Sequence, residues 1–351
     1  MKNWMLILGV GVVGLMALTG CGGGGSVLAP VSAEYRLAAI TNSGGFGLYK
    51  VTSAGLVTEL FSGSGSSQYA SIVEGVNAND LYFSFNNNSN ISLVKFMNDA
   101  PFSSGNAATA GGSGSLLFLH PTRSMLYALL PNQSKIDQFA ISPDGSLTVQ
   151  PQADADAMPV DMVFNPNGNY AYVVSKNSKV VRVYAIDADG TLSLIPGAAY
   201  PTAINPAKIV ITDDGANLYA MGQDQDISQF AIGANGLLTP LAPQKASYPM
   251  GNFRAAMTAN NVLSFYREAD EGIETLGRTG GGQLSNLGAP NYVTSATTDI
   301  YRLPGQNLLF LLARGTGSGQ TVSMGSNGIG TQLSTSSLLP GVSDVALWQV
   351  P

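Results

Sequence analysis

The chain repeats itself. A strand-like run carrying an early tyrosine or leucine recurs at Leu37, Tyr82, Tyr127, Tyr172, Tyr219, Leu263 and Leu309, in steps of 45, 45, 45, 47, 44 and 46 residues. A second, independent marker gives the same period: the turn glycines Gly145, Gly190, Gly236, Gly282 and Gly328 are spaced 45, 46, 46 and 46 apart. Gly55 stands 90 residues before Gly145, with an irregular Asp99-Ala100-Pro101 turn where the intervening glycine is due. Three segments show the pattern most fully: LYALLPNQSKIDQFAISPDGSLTVQ from Leu126, YAYVVSKNSKVVRVYAIDADGTLSLI from Tyr170, and LYAMGQDQDISQFAIGANGLLTPL from Leu218. Each reads as a strand, a polar loop, a second strand ending in Phe-Ala-Ile or Tyr-Ala-Ile, a turn ending in Asp-Gly or Asn-Gly, and a third strand opening on leucine.

A period near 45 holding about four strands is the size of one propeller blade. A single blade cannot bury its two faces, whereas blades packed around an axis bury them on each other. The spacing therefore predicts an all-β fold over residues 34–351, a seven-bladed β-propeller of four-stranded antiparallel blades. An apolar run precedes each marker strand and supplies the innermost strand, as in Val160-Asp161-Met162-Val163-Phe164. The first repeat has no such run, and the C-terminus has one to spare, Ser343-Asp344-Val345-Ala346-Leu347-Trp348. The C-terminal strand is thus expected to close the first blade, leaving no open edge in the ring. Asp187-Ala188-Asp189-Gly190 reads as a hairpin turn and not a calcium loop, because it lacks the downstream glutamate.

The phrases VFNPNGNYAYVVS and VRVYAIDADGTLSLI resemble the lactonase-type seven-bladed propellers, including the YVTN-repeat proteins, and the likeness is clearest from Gly114 to Leu241. That resemblance implies the propeller fold and, as an activity, hydrolysis of lactones related to 6-phosphogluconolactone. It also implies Pro-Arg-His at the start of an inner strand and an acidic residue after the following tyrosine strand. Here the fourth repeat reads Pro159-Val160-Asp161, and the acidic positions read Pro131, Lys176 and Gln223. The single histidine, His120, sits before Pro121 at the far end of its strand and reads as a turn or edge residue.

Propellers bind ligands at the mouth of the central channel. Aligning the repeats places Val73, Leu116, Asp161, Lys208, Arg254, Asp299 and Asp344 at the start of the inner strands, with Arg267 and Arg314 in loops on the same side. Five of those seven channel positions are charged in a chain that is 11% charged overall. The set reads as a candidate polar-ligand site or as a self-neutralising ring of charges; Asp161, Asp299 and Asp344 could also hold a cation. Mixed charge without histidine favours a binding or scaffold module for a polar ligand, a glycan or an envelope protein partner, with no catalytic residue and no cofactor assigned. The alternative is a lactonase-like hydrolase that uses carboxylates in place of histidine.

The chain has 16 Lys plus Arg against 22 Asp plus Glu, a net charge of −6, and no basic cluster, which argues against a nucleic-acid partner. Cys21 is the sole cysteine, so neither disulfides nor cysteine metal sites are available. It follows Lys2 and 15 uncharged residues, Trp4 to Leu18, too short for a membrane span and suited to a signal peptide. Leu18-Thr19-Gly20-Cys21 resembles a bacterial lipobox. It implies cleavage after residue 20, lipid on Cys21, and a flexible linker over 21–33. The other readings of this segment are a secreted chain with a free thiol and a short uncleaved anchor. The expectation is a monomeric, lipid-anchored protein of the bacterial envelope, on the outer membrane and facing periplasm or surface.

Overall fold

The computed structural model describes residues 34–350, apart from 78, 204, 223–225, 248–254, 268–271, 288–291 and 294–298. The described residues form seven antiparallel sheets and no helix. In chain order from the second blade, the inner strands are Tyr69–Glu74, Leu116–Leu119, Pro159–Phe164, Pro206–Ile211, Ala255–Met257 and Asp299–Arg302. The inner strand of the first blade is Val342–Gln349, from the C-terminus. It pairs with Glu34–Thr41 in a continuous ladder that sets Leu37 against Leu347 and Ala38 against Ala346. The expected closure is therefore what the ring has. The sixth blade departs slightly from four strands, since its outer edge is split into Leu284–Asn286 and Tyr292–Val293, both paired with Gly272–Arg278.

Seven hydrophobic clusters fill the seven gaps between neighbouring blades. Side chains alternate across each strand, so consecutive residues enter different gaps. Tyr127 packs into the cluster shared with the fourth blade, while Leu126 and Ala128 pack into the one shared with the second. Because strands in the middle of a blade are covered on both faces, Met125–Leu130 and Leu308–Ala313 are continuous apolar runs with every residue buried.

The periodic glycines occupy the hairpin between the third and outer strands. Gly55, Gly145, Gly190, Gly236, Gly282 and Gly328 all have φ between 76 and 91°, the left-handed region that glycine enters without steric cost. At Gly190 the absence of a side chain matters twice, since a Cβ there would lie 2.4 Å from Met125 Cγ in the preceding blade. The second blade makes the same turn without glycine, using Asn98 and Asp99 at φ 52 and 61°, the non-glycine residues that tolerate this conformation best.

Those turns are fastened to the preceding blade. Tyr82, Tyr127, Tyr172 and Tyr219 donate their hydroxyls to the carbonyls of Gly145, Gly190, Gly236 and Gly282 at 2.7, 2.6, 3.0 and 2.6 Å. The marker tyrosine of one blade thus grips the marker glycine of the next. Burial raises all four phenol pKa values, that of Tyr219 to about 12, so each remains a donor at physiological pH. In the other three blades the marker leucine faces the preceding blade, and other groups make the link to the next one. Thr275 Oγ1 donates to the Gly328 carbonyl at 3.2 Å, and Ser334 Oγ donates to the Gly55 carbonyl. Between the first and second blades, Arg36 forms an ion pair with Asp99 at 2.9 Å.

Candidate active site

The start of each inner strand faces one mouth of the channel. In the fourth and fifth blades a left-handed residue, Met158 or Asn205, precedes a proline, and a register shift then separates Pro159 from Asp161 and Pro206 from Lys208. Proline is tolerated here because the first residue of a strand need not donate to the ladder. The irregularity is a local bulge, and bulges re-aim the residue that follows.

Asp161 is buried, with 5% of its surface exposed. Its Oδ2 accepts a hydrogen bond from the Ile209 backbone N–H at 2.9 Å and pairs with Lys208 Nζ at 3.1 Å. Asp344 repeats the first contact across a different junction: its Oδ2 accepts from Ile72 N–H at 3.1 Å and from Ser71 Oγ at 3.0 Å. Each carboxylate therefore satisfies an inner-strand N–H of the next blade that would otherwise face the channel. Asp344 Oδ1 accepts from Val345 N–H at 2.9 Å, and Ser71 Oγ in turn accepts from Leu117 N–H at 3.3 Å. Asp299, 1% exposed, forms an ion pair with Arg314, and Tyr301 Oη donates to Asp299 Oδ2 at 3.3 Å.

The electrostatics separate these groups. Lys208 balances Asp161, and Arg314 balances Asp299, so this part of the mouth is the self-neutralising arrangement that the sequence allowed. Burial opposes the charge on Arg314, but Asp299, then Tyr301 and Asp344, outweigh it and hold the guanidinium pKa above its ordinary value. Asp344 forms no ion pair among the described residues. Burial, and after it the charge of Asp299, pushes its carboxyl above the usual range. A cavity of about 360 Å³ is lined by Lys208, Asp299 and Asp344, walled by Ile209 and Ala256, and runs along the inner strands as far as Ile211 and Arg302. Its size lies in the range that holds a small organic ligand.

Of the other expected site residues, Arg254 lies outside the described residues. Arg267 ends the strand Val262–Arg267, where its backbone pairs with Gly272; its side chain is not among those described. Among the described residues no three His, Cys, Asp or Glu side chains are grouped to hold a metal, so the cation reading of Asp161, Asp299 and Asp344 finds no support. Val73 is not the second blade's counterpart of Asp161. Pairing sets Asp161 against Val174 and Ser71 against Ser84, two residues beyond the marker tyrosine in each case, whereas Val73 pairs with Tyr82 itself. Asp344 does correspond to Asp161: Ala38 is the residue of the first blade that faces the next blade as Tyr172 does, and Ile40, two residues beyond it, pairs with Asp344. Counting from strand markers missed the bulges, and with them Ser71. Tyr301 was also missed, although its place two residues after Asp299 was open to view.

His120 is a buried structural residue. Its Nδ1 accepts from the N–H groups of Thr122 and Arg123 at 3.1 and 2.9 Å. Nε2 must therefore carry the proton, which it donates to the Gly168 carbonyl at 2.9 Å in the next blade.

Residues 153–297 match the family described as lactonase, 7-bladed beta-propeller. The chain resembles the lactonase-type propellers. Solved structures agree at the level of fold. The periplasmic gluconolactonase of Pseudomonas aeruginosa shares 18% identity and a TM-score of 0.71, over 91% of this chain and 100% of that one. A candidate 6-phosphogluconolactonase of Bacteroides fragilis shares 14% identity and a TM-score of 0.72, over 92% and 99%. A protein from Lactobacillus plantarum shares 14% identity and a TM-score of 0.75, over 90% and 99%. No curated protein sequence matches the chain. These findings overturn the binding or scaffold module expected from the composition of the mouth. The lactonase-type match over residues 153–297 favours the hydrolase alternative. The expectation failed because mixed charge without histidine was read as non-catalytic, whereas a desolvated carboxylate beside a fixed cation is also acid–base equipment.

Proposed function

We propose that this propeller is a lactonase-like hydrolase that opens a small polar lactone at the mouth formed by Asp161, Lys208, Asp299, Arg314 and Asp344. The lactonase family match over residues 153–297 carries the reading. The site supplies a chemistry for it. Asp344 is the general base: its raised pKa moves it toward the range where a carboxylate both ionises and accepts a proton effectively. It takes a proton from water as the water oxygen bonds to the lactone carbonyl carbon. Arg314 stabilises the oxygen that becomes negative, as a fixed cation in a shielded site does best. When the ring C–O bond breaks, the proton held on Asp344 passes to the leaving ring oxygen, so a hydroxy acid is released and the carboxylate is regenerated. Lys208 and Asp161 offer a donor and an acceptor for substrate hydroxyls.

The test is acid release from glucono-δ-lactone followed in a pH-stat with the purified propeller. Turnover should exceed spontaneous hydrolysis, and Asp344→Asn should lower kcat by about 10²-fold or more, with Asp161→Asn acting mainly on KM. Absence of turnover, or an unchanged Asp344→Asn variant, overturns the assignment.

Delivery to the envelope by a lipid on Cys21 belongs to the same proposal. The motif before Cys21 supports it, and residues 1–33 lie outside the described part of the structure. Metabolic labelling with a fatty-acid precursor should mark the wild type and not Cys21→Ser.

A further inference from the structure

The inner strands end at the opposite mouth of the channel, and a second cavity of about 390 Å³ opens there. Its walls are apolar, with Leu119, Phe118, Met162 and Phe164 among them, and the acidic group on its lining is Glu74. Glu74 closes the second blade's inner strand and is partly buried. No ion pair engages its carboxyl among the described residues, and the hydrogen-bonding partner beside it is its own backbone N–H. Burial pushes that carboxyl above its ordinary range.

The charged groups on the strands packed against Glu74 are otherwise occupied. Asp344 lies toward the other mouth and accepts from Ser71 and Ile72. Asp80 accepts from Asn77 Nδ2 at 2.7 Å. Arg36 is paired with Glu34 and Asp99. Arg302, at the same end of the channel, is held by both oxygens of Asp213. The cavity wall contributed by Leu116–Leu119 carries no charge. A desolvated carboxylate without a counter-charge is unfavourable, and a cation brought to it offsets that cost. Asn165 adds a second polar group to the lining. Its Oδ1 is already engaged by the N–H groups of Asn169 and Tyr170 at 2.9 and 2.8 Å, which leaves its amide NH₂ as a donor.

We infer that this lower cavity is a second binding site, for an organic ammonium ion whose apolar body lies against Phe118, Met162 and Phe164 while its amine meets Glu74. The inference does not rest on the lactonase reading, whose charged residues stand at or near the starts of the inner strands, although the two cavities share Val163 and Ile211 as lining. The probe is 2-phenylethylamine, titrated calorimetrically into the wild-type protein at pH 8, with 2-phenylethanol as the uncharged counterpart of the same body. The amine should bind saturably and on the order of tenfold or more tighter than the alcohol. Glu74→Gln should remove that preference and leave lactone opening unchanged, and Asp344→Asn should bind the amine like the wild type. The assignment fails if no saturable binding is seen, if amine and alcohol bind alike to the wild type, or if Asp344→Asn and not Glu74→Gln abolishes binding. The comparison of amine with alcohol needs no variant, so it stands even if Glu74→Gln does not fold.

Discussion

Four consecutive blade junctions, from the second blade to the sixth, are fastened by tyrosine hydroxyls, and the remaining three by threonine, serine and an arginine–aspartate pair. The contact is the same in geometric terms: a group in one blade holds the third-strand hairpin of the next. What differs is the chemistry that supplies it. In the tyrosine half, one side chain both fills the core and reaches the turn carbonyl. In the other half Leu37, Leu263 and Leu309 turn toward the preceding blade, and a separate residue makes the bond to the next one. The ring thus requires the link at each junction without requiring tyrosine, which explains why the repeat fades in sequence on both sides of the middle blades while the architecture does not.

The most severe way to test the two halves is to open the ring where they meet the termini. Deletion of residues 341–351 removes the inner strand of the first blade and the buried Val342, Val345, Ala346 and Trp348. The loss is several kcal/mol, and the melting temperature should fall by about 10 °C or more; an unchanged melt would refute closure by this strand. Next in size is Tyr127→Phe, which keeps the ring packed and leaves the Gly190 carbonyl without its donor. It should cost about 1–3 kcal/mol in denaturant unfolding. Thr275→Val, the corresponding change at a threonine junction, should cost about 1 kcal/mol, since its bond is longer. Asp99→Ala should cost least, below about 1 kcal/mol, because Asp99 is 41% exposed and solvent screens the pair. Its effect alone should shrink at high salt. If Thr275→Val or Asp99→Ala proved costlier than Tyr127→Phe, the two halves would not be equivalent in the way described.

His120 sharpens the comparison at a single junction. Burial, with Arg123 assisting, lowers its pKa below the ordinary 6.5, and its bonding requires the neutral ring. The stability it contributes is fully present above the unfolded-state value and is lost as pH falls through the depressed folded-state value. Melting temperature should therefore decline as pH falls below about 6.5, and His120→Gln should flatten that decline.

Much of this fold was legible because a blade is a local object. Tyrosine and glycine markers recur at one period because each blade has to meet an identical neighbour, and the surplus strand at Ser343–Trp348 pointed to the closure. The site was legible in part. Asp161 pairs with Lys208, Asp299 pairs with Arg314, and Lys208, Asp299 and Asp344 line one cavity, but the bulges at Pro159–Asp161 and Pro206–Lys208 that aim the first pair leave no periodic trace. The same irregularity hid Ser71 behind Val73. Glu74 was passed over because an acid at the end of an apolar strand looks like an ordinary surface residue until the packing shows an apolar cavity beside it.

The seam in the first blade sets the order of events during synthesis. Leu37 is among the earliest propeller residues made, and its partner Leu347 comes 310 positions later. The opening strands must wait, unmatched along one side, until almost the whole polypeptide has been delivered. Assembly is then bound to be a late, all-at-once step with a high share of distant contacts, and any interruption of delivery leaves the starting sector exposed to whatever other strand it meets first.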